Sequence, residues 1–143
     1  MGCTLSAYGT GFDVDSFLRT SSLEVDDVWH EGEPMGSGGG VKKSSGLTIE
    51  ILDNELDNLR AQTEAAVTFL RANREELERL ATAASGHWFT LQFGVRLRED
   101  IVVWVDAIPP ELSRHAGEVG CMITISHYPS LERERTLFET EGS

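Results

Sequence analysis

Hydrophobic and polar positions alternate most clearly in the C-terminal half of this chain. Phe89, Leu91, Phe93, Val95 and Leu97 are separated by Thr90, Gln92, Gly94 and Arg96. Successive side chains of a strand point to opposite sides, so this spacing predicts a strand with one buried face. Leu47, Ile49 and Ile51 alternate with Thr48 and Glu50 and predict a second strand. Leu5 to Tyr8 has the character of a short first strand, and Gly120 to Ser126 that of a final one. Ile101 to Val105 is an apolar run, with Arg98 to Asp100 as the turn before it, and reads as one more strand. The segment Glu24 to Glu33 alternates less clearly, with Val25, Val28 and Trp29 as its buried anchors.

Other stretches follow the helical period. Val14, Phe17 and Leu18 share one face, with Asp13 placed as N-cap. Asp53 or Asn54 caps a long helical stretch whose stripe runs through Leu56, Leu59, Thr63, Ala66, Val67 and Leu70. Leu77, Leu80, Ala81 and Ala84 continue it, and Gly86 ends it. Asn73 and Glu76 have the spacing of a capping box, which predicts two helices meeting near Asn73. Pro109 and Pro110 start a last helix that runs to about Ala116 and stops at Gly117. Between the first strands, 34–46 is rich in Gly and Ser and reads as a flexible surface loop. Lys42 follows Val41 there, not a glycine, so the phosphate-binding loop pattern is not met.

The resulting order predicts an α+β fold: a mostly antiparallel sheet of about four to six strands with helices packed on one face. A length of 143 residues fits a single domain over 1–130, followed by a charged, fraying tail over 131–143. Composition adds one strong feature. The chain has 24 acidic and 12 basic residues, a net charge of −12. Residues 1–57 hold 11 acids and 3 bases, and residues 58–143 hold 13 acids and 9 bases. The excess therefore concentrates in the first part. Such a balance argues against wrapping a phosphate backbone, which needs a basic footprint. No apolar run is long enough to span a bilayer, and no basic flank with an apolar stretch opens the chain. A cytoplasmic location is the expectation, with Cys3 and Cys121 reduced.

The pattern from Leu59 to Tyr128 resembles a bacterial family known as domain of unknown function 4279. The residues that carry the likeness are Leu70, Leu77 and Leu80, then Phe89 to Val95, then Pro110, Glu111 and Leu112, then Ile123 to Tyr128. Phe17 and Leu18 in an early helix, and Trp29 followed by Gly32 and Glu33, extend it to most of the chain. The Gly-rich insert 34–46 departs from the family pattern. What the resemblance implies is a fold and a bacterial cytoplasmic setting. Small acidic domains of this kind suggest an immunity-type role, blocking a toxin.

Candidate chemistry is sparse. Asp13, Asp15, Asp26, Asp27, Glu31 and Glu33 form the densest acid cluster, around His30 and Trp29. Their spacing fails the calcium-loop pattern, so no metal is expected. His30, His87, His115 and His127 are scattered, with no His-x-x-x-His or Cys-x-x-Cys pair for zinc. Cys3 and Cys121 fall in predicted strands, where a buried hydrophobe is the usual role. No catalytic set and no cofactor site is expected. Met1 to Ser6 matches a myristoylation pattern, but no polybasic patch supports an anchor.

The leading expectation is therefore a non-enzymatic binding protein for a partner with a basic surface, such as a toxin. Its contact residues would be Asp13, Asp15, Asp26, Asp27, Trp29, Glu31 and Glu33. Neither nucleic acid nor membrane is expected as a partner. The alternative is a small-ligand domain or enzyme with a pocket between sheet and helices, built from His87, Asp106, His127 and Tyr128. A structural homodimer is the third reading.

Overall fold

The computed structural model describes residues 2–36, 38–53, 58–84, 88–100 and 102–130. Cys3, Leu5 and Ala7 alternate with Thr4, Ser6 and Tyr8, and they form strand β1 (Cys3–Gly9) with the first set fully buried. The chain then makes helix α1 (Val14–Thr20) and the short strand β2 (Asp27–Trp29). Strand β3 (Ser45–Leu52), helices α2 (Leu59–Ala72) and α3 (Arg74–Ala83), and strand β4 (Trp88–Arg96) follow. Helix α4 (Pro110–Val119) and strand β5 (Met122–Tyr128) complete the described elements. The five strands form one sheet in the order β2-β3-β1-β4-β5. Its pairs are antiparallel except β4 with β5, which are parallel. The expected α+β class is the one observed.

One core holds the fold together. Leu5, Leu47, Leu91 and Phe93 from the strands meet Phe17, Leu70, Leu77, Leu80 and Leu112 from the four helices in a single buried cluster. The strand positions in this cluster share one parity, so all four helices cover the same face of the sheet. Each fully buried Leu or Phe contributes about 1.5–3 kcal/mol by leaving water. Gln62 is the largest of the buried polar residues and has no exposed surface. Its Nε2 donates to the Gly94 carbonyl at 2.8 Å, and its Oε1 accepts from the Gly94 N–H at 3.2 Å. The side chain thereby pins α2 to a sheet position that lies beyond the end of β1.

Several local expectations are corrected. The described part of the long helical stretch begins at Leu59, and its cap is Asn58, whose Oδ1 accepts from the Ala61 N–H at 3.0 Å. Asn54, Leu56 and Gly86 lie outside the described residues, as does the 131–143 tail. The two helices do meet at Asn73, but no capping box forms. Asn73 already closes α2, with its Nδ2 donating to the Phe69 carbonyl, and Glu76 is held by Arg79 and Ser21. Helix α4 passes through Gly117 and ends at Gly120, which adopts φ 75°. That left-handed turn lets the Cys121 N–H reach the Ala116 carbonyl at 2.8 Å, a closure that favours glycine. In the 34–46 loop, Pro34 and Val41 form an antiparallel bridge, and Ser45 and Gly46 belong to β3.

The largest correction concerns the apolar run after β4. Residues 102–105 form no strand. Val102 is fully exposed, and Val103 and Val105 are 72% and 80% exposed. A strand needs a neighbour with a free edge. Both edges of β4 are taken, one by β1 and one by β5. A hairpin return from β4 therefore has nowhere to pair, and the segment becomes part of the crossover that a parallel β4–β5 pair requires.

Candidate functional site

With the helices on one face, the other face carries Asp27, Glu50, Trp88 and Met122 as its exposed residues, while Tyr8, Trp29, Thr48 and Gln92 are half-buried and Thr90 is only 2% exposed. Register fixes who stands there. Trp29 lies opposite Gly46, Gly46 opposite Tyr8, and Tyr8 opposite Trp88, so one line of residues crosses four strands. The Tyr8 ring sits 6.0 Å from that of Trp29, tilted by 49°, and 6.1 Å from that of Trp88, stacked at 28°. Trp88 is 38% exposed. Gly46 makes the line possible. A Cβ at position 46 would stand 2.4 Å from Tyr8 Cβ and 2.5 Å from Trp29 Cζ2. The Trp29 ring therefore rests against bare backbone.

Below the aromatic line the same face is polar. Asp27 pairs with Thr48, and Ser6 lies between Thr48 and Thr90. The Ser6 and Thr48 hydroxyls are 3.4 Å apart, and Gln92 Nε2 donates to Ser126 Oγ at 3.0 Å. Glu50 stands opposite Thr4 and is exposed. Among the described residues that register places on this face, Asp27 and Glu50 are the acids and Arg96 is the base, at the far end of β4.

The acid cluster expected to bind a partner is divided by the fold. Asp13 caps α1: its carboxylate accepts from the Ser16 N–H at 3.1 Å and the Ser16 hydroxyl at 2.8 Å. Those bonds favour the charged form and hold its pKa below the ordinary value. Asp15 and Glu33 grip the two nitrogens of His30, at 2.9 and 2.8 Å. The His30 pKa is raised, first by its bond to Asp15 and then by that to Glu33. The Glu33 carboxylate is lowered in turn by His30. Asp26 accepts from the Glu50 N–H at 2.6 Å. Asp13, Asp15, Asp26 and Glu33 thus have structural work. Asp27 and Glu31 remain exposed, and Trp29 joins the aromatic line.

The pocket alternative is brought together in part. His127 Nε2 lies 2.6 Å from Asp106 Oδ2, and Trp104 Nε1 donates to Asp106 Oδ1 at 2.6 Å. Tyr128 pairs with Arg96 and has the opposite parity to His127, so it does not join them. His87 lies outside the described residues. The space between sheet and helices is filled by core side chains. A surface groove of about 690 Å³ lies between α1 and α3, lined by Asp13, Phe17, Glu75, Glu78 and Arg79. Another of about 480 Å³ runs beside Arg60, Arg71, Pro109 and Glu111. Neither is lined by Asp106 or His127.

Other chemistry is poorly served. The Cys3 and Cys121 thiols are buried, and loss of solvation pushes both pKa values up to about 12. Such thiols stay protonated at neutral pH and are weak nucleophiles. Among the described residues, no group of three or more His, Cys, Asp and Glu side chains is set to hold a metal ion. No helix among them is long and apolar enough to cross a membrane.

The outer-face line was only half visible in the sequence. Trp29 stands out there because acids surround it. Tyr8, Gly46 and Trp88 become neighbours only through the pairing of β1, β3 and β4, although their parity against the buried residues was readable. No family model, curated protein or solved structure matches the chain. The likeness to domain of unknown function 4279 therefore stands on residue pattern alone.

Proposed function

We propose that this protein is a non-enzymatic binding domain that takes a basic protein surface onto the outer face of its sheet. The observation that carries the reading is the outer-face line Trp29–Gly46–Tyr8–Trp88, half-buried except at the exposed Trp88, on the same face as the exposed acids Asp27 and Glu50. Aromatic anchors dominate the energy of many interfaces, while surrounding charges steer the encounter and set its salt dependence. A net charge of −12 fits the second part of that division of labour. An immunity-type protein that blocks a basic toxin is one concrete form of the same reading.

The test is chemical-shift mapping of the full chain against small basic proteins, with acidic proteins of similar size as controls. Basic proteins are expected to shift amides around Tyr8, Trp29, Thr48 and Trp88, and the shifts should weaken at high salt. Shifts confined to the helical side, or equal responses to acidic and basic proteins, would sink the reading.

A further inference from the structure

We infer that the aromatic line recognises arginine side chains in particular, stacking guanidinium groups on Trp29, Tyr8 and Trp88 while Asp27 pairs with the guanidinium fork. The inference rests on the reading of the outer face as the binding surface. It is argued from a contact the molecule already makes elsewhere. On the helical side, the Arg79 guanidinium lies 5.3 Å from the centre of the Phe17 ring. Its Nη1 is also 2.8 and 2.9 Å from the two carboxylate oxygens of Glu76. Ring, carboxylate and arginine make a complete set there.

The outer face has two of those three parts. Its rings include two indoles, the aromatic surface that attracts cations best. Asp27 stands two residues from Trp29 on the same side of β2, about 7 Å along the strand. For the third part, the described residues that register places on this face include a single base, Arg96. It is eight residues from Trp88, about 26 Å along β4. It also donates to the Pro129 carbonyl at 3.1 Å. In the proposed complex the cation that completes the set comes from a partner.

Geometry selects arginine over lysine. A guanidinium is flat, stacks on a ring and still presents a fork to a carboxylate, whereas an ammonium is a compact, strongly hydrated point charge. Trp88 is 38% exposed and Tyr8 and Trp29 are half-buried, so a flat group, which needs only the open part of a ring, suits this line better than a hydrated sphere. Stacked nucleobases, the other flat occupants of aromatic sheet faces, bring phosphates that Asp27 and Glu50 repel.

The experiment titrates the full chain with three capped peptides, Gly-Arg-Gly-Arg-Gly and its lysine and citrulline counterparts, following the indole N–H signals of Trp29 and Trp88. The arginine peptide should shift both indoles and bind about two- to fivefold more tightly than the lysine peptide. Citrulline, flat but uncharged, should give no saturable shift. Asp27→Asn and Trp88→Thr, each checked for folding by circular dichroism, should weaken arginine binding by a similar factor. Equal arginine and lysine affinities, or arginine binding that leaves the indoles unmoved or ignores both substitutions, would overturn the inference. If basic proteins still map to the outer face in those cases, the binding reading survives it. If no basic peptide or protein binds, both fall together.

Discussion

The two faces of the sheet are built from the same strands, residue by residue, and they are held in different ways. On β4, Phe89, Leu91, Phe93 and Val95 point toward the helices and are at most 7% exposed. Trp88, Thr90 and Gln92 alternate with them and point away. The inner face is specified by volume and burial. The outer face is specified by hydroxyl and amide contacts, by stacked rings and by one glycine. Large side chains with apolar bodies on the outer side are kept to the aromatic line, Met122 and Tyr128, away from the core. Most substitutions on the outer face should therefore cost less folding stability than those on the inner one.

The strongest way to break this contrast is to compare two positions of β4. Phe93→Ala removes the largest of the fully buried side chains and should cost about 3–5 kcal/mol. Trp88→Thr loses mainly the stacked pair with Tyr8 and should cost about 0.5–1.5 kcal/mol. Urea unfolding measures both, and equal costs would erase the distinction between faces. Gly46→Ala comes next and is the exception that sharpens it. Its new methyl group meets Tyr8 Cβ, Trp29 Cζ2 and the Ala7 carbonyl, all within 2.7 Å. The expected cost is about 1–3 kcal/mol, with a shift in Trp29 fluorescence as the ring is displaced. An alanine that leaves both stability and fluorescence unchanged would mean that the ring does not rest on the backbone.

The smallest effect is electrostatic and lies at the sheet's acidic border. His30 is held charged by Asp15 and Glu33, so its folded pKa is above the ordinary 6.5. Its contribution to stability is complete below that ordinary value and is lost as pH rises through the raised one. Glu33 is shifted down from 4.5, so its contribution is complete above that value and is lost as pH falls through the depressed one. The clamp is fully formed between these two ordinary values. Because all three groups are solvent-exposed, the stability change should be slight. A ring titration by NMR is the sensitive measure: His30 should titrate above free histidine, and Asp15→Asn should bring it back down. A ring that titrates like free histidine in the unaltered protein would show that the clamp is not formed.

Much of the fold was legible because period and burial coincide. The alternation of Phe89 to Val95 and of Leu47 to Ile51 follows directly from one covered face, and Val14 and Phe17 turn inward as their spacing requires. Ile101 lies outside the described residues, and Val102 to Val105 misled because apolar, β-branched residues report a preference for extended chain without reporting whether an edge is free. Gly117 misled because a helix tolerates a glycine when its stop signal, the left-handed Gly120, lies three residues on. At the candidate site, the sequence pointed to Trp29, and it named Asp106 and His127 in a set with His87 and Tyr128 without showing that these two meet. The cap role of Asp13 was readable from its place before Val14, but the sequence could not show that Asp15 meets His30, 15 residues on, or that Asp26 meets Glu50, 24 residues on. Gln62 escaped notice for the same reason: its partners are the backbone groups of Gly94, 32 residues away.

The two sealed cysteines give the fold a pair of clocks. Cys3 sits in the central strand and Cys121 just before the edge strand β5, and both are buried while the sheet is closed. A thiol-reactive dye in native buffer therefore records only openings, one rate for the middle of the sheet and one for its border. If the edge strand peels off by itself, Cys121 will label long before Cys3. If the sheet opens as a whole, both will keep the same time.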